Sequence, residues 1–219
     1  LDQSQIVEYI DSSWYVYSSG TYKHPFDGET DPEPTKAGAY TWSKAPRIMH
    51  NGNPVAMEVG PLARMWVSGL YRDGVTYGND WKHAGLDGVS ASDIYEIVTD
   101  VMNGPPSGNG TRKDTYECGA SAIDRHRARA LEEVMLVKMA AKFCDDLRNS
   151  MTANPNQPSY TPRDLPRNAQ GYGLNEAPRG ALAHFIKTDA FARLDNHQAV
   201  VPSTWNDSPF AAGSNGAIE

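Results

Sequence analysis

The chain has 219 residues, with 20 basic and 27 acidic side chains, a formal charge of −7 and 39% hydrophobic residues. That length can bury a real core as one ordinary domain or two small ones, and the acidic balance argues against nucleic acid as a partner, because no basic field would draw phosphates. Two cysteines exclude a disulfide-dense scaffold and a zinc-finger framework, and no run of 18 apolar residues is present to span a membrane.

The first element predicted is a helix. Ile6, Val7, Ile10, Trp14 and Tyr15 recur at three- and four-residue steps, and Ser4 stands where an N-cap would be. The opening Leu1-Asp2-Gln3-Ser4 shows no signal-peptide pattern, so either a trimmed N-terminus or a segment of a longer chain fits it. Residues 18–56 are rich in Gly, Pro, Asp and Thr. There His24-Pro25-Phe26-Asp27-Gly28-Glu29-Thr30 reads as a turn-dense ordered loop, and Tyr40-Thr41-Trp42-Ser43 as a short strand.

Pro61 then opens a helix over Leu62 to Leu70, and a second short helix runs from Ser92 to Met102, stopped by the Gly- and Pro-rich stretch that follows. The clearest element is a long helix from about Ala120 to Met151, free of Gly and Pro. It would be roughly 45 Å long at about 1.5 Å per residue, with Ile123, Ala130, Val134, Val137, Phe143 and Leu147 as its expected buried residues. Asn154 to Asn175 is expected to be irregular because of Pro155, Pro158, Pro162 and Pro166. Leu182 to Lys187 and Gln198 to Val201 then read as two strands of a hairpin. The fold class expected is mainly α, with a small β hairpin or sheet and long ordered loops.

None of the six histidines lies in an HExxH or HxH pattern, so each is read as structural or at the surface. Cys118 and Cys144, if on or beside the long helix, would be roughly 39 Å apart at about 1.5 Å per residue; they could neither join in a disulfide nor share a metal. The run Asp124 to Arg129 is read as a solvated face or a salt-bridge strip, with Glu132 and Glu133 near enough to pair with its arginines. Neither Gly108-Asn109-Gly110 nor Gly171-Tyr172-Gly173 has the context of a phosphate site. Arg179 is different: set between Pro178 and Gly180 before an apolar strand, it is a preorganised donor of planar hydrogen bonds. Ser203, after Pro202, offers a hydroxyl in an equally restricted place. Two turns with a surface arginine is the plain alternative.

Several of these stretches, in order, resemble the large, catalytic subunit of nickel–iron hydrogenases. They are His24-Pro25 with Gly28 and Thr30; Tyr40 to Arg47; Glu58-Val59-Gly60-Pro61-Leu62-Ala63-Arg64; Asp124 to Glu132; Glu176-Ala177-Pro178-Arg179-Gly180-Ala181-Leu182; and Val200-Val201-Pro202-Ser203-Thr204-Trp205-Asn206. The resemblance implies part of the large-subunit fold and an enzyme that reversibly cleaves hydrogen at a nickel–iron centre whose iron carries carbon monoxide and cyanide. It implies that Arg179 stands over the open edge of that centre as the catalytic residue, that Pro178 and Pro202 line the pocket, and that Ser203 donates to a cyanide. It also implies a magnesium ion held by the backbone carbonyl of Ala199, with Glu58 and Gln198 reaching it through water. The implied partners are a small subunit carrying iron–sulfur clusters and the remainder of the large subunit.

The family's two CxxC pairs are absent, and Phe210 stands where an arginine is common. Residues 1–219 are therefore expected to be one segment of a large-subunit domain, incomplete at both ends and unable to assemble the cluster or turn over alone. A nickel-free paralogue of the respiratory NADH dehydrogenase type, or a non-catalytic assembly protein, keeps the fold and changes the class. Localisation is open between export with the small subunit, as a periplasmic or membrane-associated enzyme, and the cytoplasm.

Overall fold

The computed structural model describes residues 2–67 and 120–218. The helix expected over Ser92 to Met102 and the position of Cys118 lie outside them. The described residues fall into two units: residues 2–60 with 163–218, and residues 61–67 with 120–162.

In the first unit, strands β1 (Ile6–Tyr9), β3 (Tyr22–Lys23), β5 (Ala45–His50) and β6 (Asn53–Val55) form an antiparallel sheet in the order β3-β1-β5-β6. Strands β2 (Tyr15–Val16) and β4 (Asp31–Pro32) form a two-stranded ribbon. The helix expected at the N-terminus is therefore a strand. All four residues of β1 are buried, so its apolar positions come from a strand covered on both faces, which carries no period-2 alternation to read. The cap signal belongs to a single 3₁₀ turn, Gln3–Gln5, in which the Asp2 carboxylate accepts the Ser4 N–H at 2.9 Å.

The expected strand at Tyr40 to Ser43 is also absent. Thr41 makes one isolated bridge to Ser13, and Trp42 packs on Trp14 and Tyr15. The central strand β5 lies immediately afterwards. It holds Arg47 with no exposed surface, its guanidinium donating to the Pro46 carbonyl at 2.9 Å, the Pro209 and Ser214 carbonyls at 3.1 Å, and the Ser208 hydroxyl. Arg47 thus ties the C-terminal segment to the sheet.

The remainder of this unit is a three-stranded antiparallel sheet, β7 (Gln170–Ala177), β8 (Gly180–Thr188) and β9 (Leu194–Val200), followed by the short helix α3 (Pro202–Asn206). The hairpin expected over Leu182 to Val201 is present and longer than predicted. Strand β7 is additional: the prolines end at Pro166, so the irregular stretch gives way to a strand at Gln170. The inner face of β8 and β9 packs Ala183, Phe185 and Val200 with Ile6, Val59 and Trp205 into the main core. Phe26 meets Phe185 edge-on at 5.1 Å between ring centroids.

The second unit holds α1 (Pro61–Val67) and the long helix α2 (Ala122–Ala153). The first agrees with the sequence expectation over its described residues. The second begins at a capping box: Ser121 Oγ accepts the Asp124 N–H, and the Asp124 carboxylate accepts the Ser121 N–H at 2.7 Å. Its expected burial is corrected. Ile123 is 72% exposed and Val137 70%, Ala130, Phe143 and Leu147 are exposed too, and Val134 lies outside the described side chains; among the described side chains of the helix, the buried positions are Asp124 and Ala128. Propensity decides that a helix forms, whereas burial depends on what packs against it. Glu132 pairs with Arg64 of α1, Nη2 donating to Oε2 at 2.6 Å. Helix and strand are present in about equal measure among the described residues, not mainly helix.

Candidate functional site

The residues singled out in the sequence lie on two short pieces of chain on either side of a third. Pro178 and Arg179 form the two-residue turn between β7 and β8, where Ala177 pairs with Gly180. Both are exposed, and the turn is held from behind. Gly180 has φ +134°, and a Cβ there would lie 2.6 Å from Val59 Cγ2 and 2.7 Å from the Gly60 nitrogen. Gly60 has φ +120°, and a Cβ there would lie 2.8 Å from the Arg179 carbonyl oxygen. Only glycine tolerates both the dihedral and the approach. The Glu58-Val59-Gly60 segment and the Pro178-Arg179-Gly180 turn are thus in backbone contact.

Pro202 and Ser203 begin α3. Pro202 is buried and fixes the entry to the helix, Ser203 is exposed, and Trp205 is buried in the core. Asn206, at the end of α3, grips the same Glu58-Val59-Gly60 segment: its Oδ1 accepts the Val59 N–H at 2.9 Å and its Nδ2 donates to the Val59 carbonyl at 2.9 Å. Two stretches that lie more than a hundred positions further along the chain therefore meet at Val59. Sequence reasoning placed Arg179 and Ser203 as donors but gave Asn206 and Gly60 no role; the Asn and the Gly within these stretches were the available signal.

The remaining expected residues belong to a second cluster. Gln198 on β9 is half-buried, with its carboxamide committed: Nε2 donates to the Gly28 carbonyl and to Asn196 Oδ1, each at 3.2 Å, while Oε1 accepts from Lys44 Nζ at 3.0 Å. Gly28 permits this, since a Cβ there would lie 2.9 Å from Gln198 Cγ. Asn196 Nδ2 donates to the Phe26 and Gly28 carbonyls at 3.1 Å, so the loop from His24 to Thr30 is clamped to β9. His24 closes that loop: Nδ1 accepts the Phe26 N–H at 3.1 Å, and Nε2 lies 3.1 Å from the Gln3 carbonyl oxygen. Ala199 is exposed and Glu58 half-buried.

Lys44 joins this cluster from the start of β5. It is 8% exposed, its ammonium bonded to Thr30 Oγ1 at 3.1 Å and to the Glu29 carbonyl. Burial pushes its pKa below the usual range, and the charge of Glu8 pulls the other way. Glu8, 3% exposed on β1, is pushed up to about 7 by burial, with Lys44 opposing. The sequence reading assigned no role to either, because each alone reads as an ordinary surface charge.

Among the described residues, no group of three or more His, Cys, Asp or Glu side chains could hold a metal ion. Cys144 is a free thiol, exposed on α2. His184 Nδ1 and His197 Nε2 lie 2.9 Å apart across β8 and β9, a hydrogen-bonded pair on the sheet face opposite Phe185. What the described site offers is directed hydrogen-bond donors: a guanidinium at a glycine-locked turn and a hydroxyl at a proline-locked helix start.

Comparison with known proteins gives a consistent result. The profile of the family described as nickel-dependent hydrogenase matches residues 1–219. The chain is 34% identical to the uptake hydrogenase large subunit of Rhodobacter capsulatus, over 100% of this chain and 35% of that protein. It is 31% identical to the hydrogenase-1 large chain of Escherichia coli K12, over 95% of this chain and 33% of that one. Among solved structures it is similar to the Ni-Fe-Se hydrogenase of Desulfovibrio vulgaris Hildenborough, with a TM-score of 0.68 and 31% identity over 100% of this chain and 39% of the other. The Ni-Fe-Se hydrogenase of Desulfomicrobium baculatum gives a TM-score of 0.60 at 27% identity, with the same coverages. The chain thus spans about 35% of the length of the curated relatives it matches.

Proposed function

Because the chain belongs to the nickel-dependent hydrogenase family, we propose that it is a segment of the large subunit of an enzyme that interconverts hydrogen with protons and electrons. The observation that carries this reading is the meeting of three separate stretches at Val59, which presents Arg179 and Ser203 from glycine- and proline-locked backbone. The relatives named above are hydrogenases, which favours this reading over a nickel-free quinone-site paralogue.

The residues described do not fit the metal centre as ligands. Nickel–iron chemistry calls for soft thiolate donors, and the described residues supply only the exposed Cys144. No step through the metals is derived from this chain. Its contribution is the surroundings: Arg179, with its planar guanidinium, suits donation to a cyanide nitrogen or to a polar group beside bound hydrogen. Ser203 is the second donor, and Pro178 and Pro202 shape the wall. The Ala199 carbonyl, with Glu58 through water, is the proposed place for magnesium; Gln198 fits it less well, because its carboxamide is already bonded to Gly28, Asn196 and Lys44. The iron–sulfur small subunit is the proposed partner, supported by the exposed apolar side chains of α2, including Val137, Phe143 and Leu147.

Arg179→Lys in the assembled enzyme tests the central role. Hydrogen turnover is expected to fall on the order of 100-fold, the usual effect of removing one preorganised donor, with nickel content unchanged. Unaltered turnover would remove Arg179 from the site.

A further inference from the structure

Arg179 and Ser203 sit on different elements, and Asn206 bonds α3 to the segment that backs the Arg179 turn. The Asn206 carboxamide is planar and bonds both backbone groups of Val59 at 2.9 Å, so it fixes orientation as well as separation. From Val59 the linkage continues through Gly60, whose missing Cβ lets the Arg179 carbonyl approach, and through Gly180, packed on the Val59 side chain. On the other side, Asn206 lies three residues after Ser203, close to the same face of α3. A helix of five residues has no stability of its own, and Ser203 therefore stands where tertiary contacts put α3. Those contacts are the buried Pro202 and Trp205 and the Asn206 clasp.

We propose that Asn206 is a positioning residue: through Val59 and Gly60 it sets where Arg179 stands relative to Ser203. This rests on the reading of Arg179 and Ser203 as the donors of the site. Val59 and Gly60 act as a spacer of fixed thickness between the Arg179 turn and α3, neither of which needs to touch the other. Two donors serve one centre only if their separation is held within about 0.5 Å, and a misplacement of about 1 Å costs on the order of 100-fold in rate. A single amide clasp on one backbone residue is a compact way to supply that constraint.

The test compares Asn206→Ala and Asn206→Asp with the parent. In the full chain, backbone amide resonances are followed at Val59, which Asn206 touches, and at Arg179 and Gly180, which it does not bond. Asn206→Ala is expected to move Val59, Arg179 and Gly180 together while Gln170, at the far end of β7, stays in place. Asn206→Asp retains the acceptor for the Val59 N–H and is expected to move them less. In the assembled enzyme, Asn206→Ala is expected to lower turnover at least about tenfold with nickel content unchanged. A perturbation confined to Val59, or unaltered turnover beside an inactive Arg179→Lys enzyme, would overturn the positioning role. If Arg179→Lys is itself fully active, the reading of the site fails while the resonance result still decides the linkage. If Asn206→Ala does not fold, Asn206→Asp is judged by the same readouts.

Discussion

At the scale of single residues, the first unit departs from an ordinary surface–core division at Glu8 on β1 and Lys44 just before β5, two ionisable groups taken out of water. Glu8 Oε2 has no hydrogen-bond partner among the described residues, which favours the neutral acid. Its folded pKa of about 7 lies above the ordinary value of 4.5. The folded state therefore holds a proton that the unfolded chain releases once pH exceeds about 4.5. Glu8 adds no pH-dependent loss below that value, and stability falls as pH rises from about 4.5 to about 7. Over that window the loss is about 3 kcal/mol. Glu8→Gln keeps the shape and cannot ionise, so urea unfolding at pH 5 and pH 7 should give a smaller fall for the variant than for the parent. Equal falls would mean that Glu8 is ionised throughout.

At the scale of elements, what could be read from the sequence depended on whether an element's signal is local. Helix α2 was legible because thirty-odd residues without Gly or Pro leave few alternatives, and the β8–β9 hairpin because two apolar runs flank a polar connection. Strand β1 was not legible: its burial on both faces comes from partners far away in sequence. Strand β5 was hidden by Pro46 and by Arg47, an arginine whose burial relies on hydrogen bonds to carbonyls distant in sequence. The site divides in the same way. Arg179 declared itself through its neighbours Pro178 and Gly180, whereas the role of Asn206 lies in bonds to a residue 147 positions away. The cap of α2 is local and can be tested locally. Ser121→Ala removes the hydroxyl half of the capping box and should lower the stability of the helix by about 1 kcal/mol, seen as an earlier thermal loss of helical far-UV signal. An unchanged melt would show that the helix start is held by other contacts.

At the scale of the molecule, family and metal chemistry meet in a definite expectation. The family is nickel-dependent, yet the chain has only two cysteines, neither of them in a CxxC pair, and Cys144 lies exposed on a helix. A nickel–iron centre needs several thiolates converging on one point. The proposed donors, Arg179 and Ser203, have N–H and O–H groups to offer and no thiolate for nickel. A close pair of imidazoles, His184 with His197, could take up a divalent ion weakly from solution, since two imidazoles leave most of its coordination to water. A chelator should therefore separate the two cases. The chain produced alone in nickel-replete cells and dialysed against EDTA is expected to retain no stoichiometric nickel by elemental analysis, and nickel taken up before dialysis should be lost in the His184→Ala variant. Retention of one nickel per chain after EDTA would mean that residues of this segment ligate the metal themselves. Arg179 and Ser203 would then have to be regarded as part of a site complete within the segment, not as surroundings supplied to ligands elsewhere.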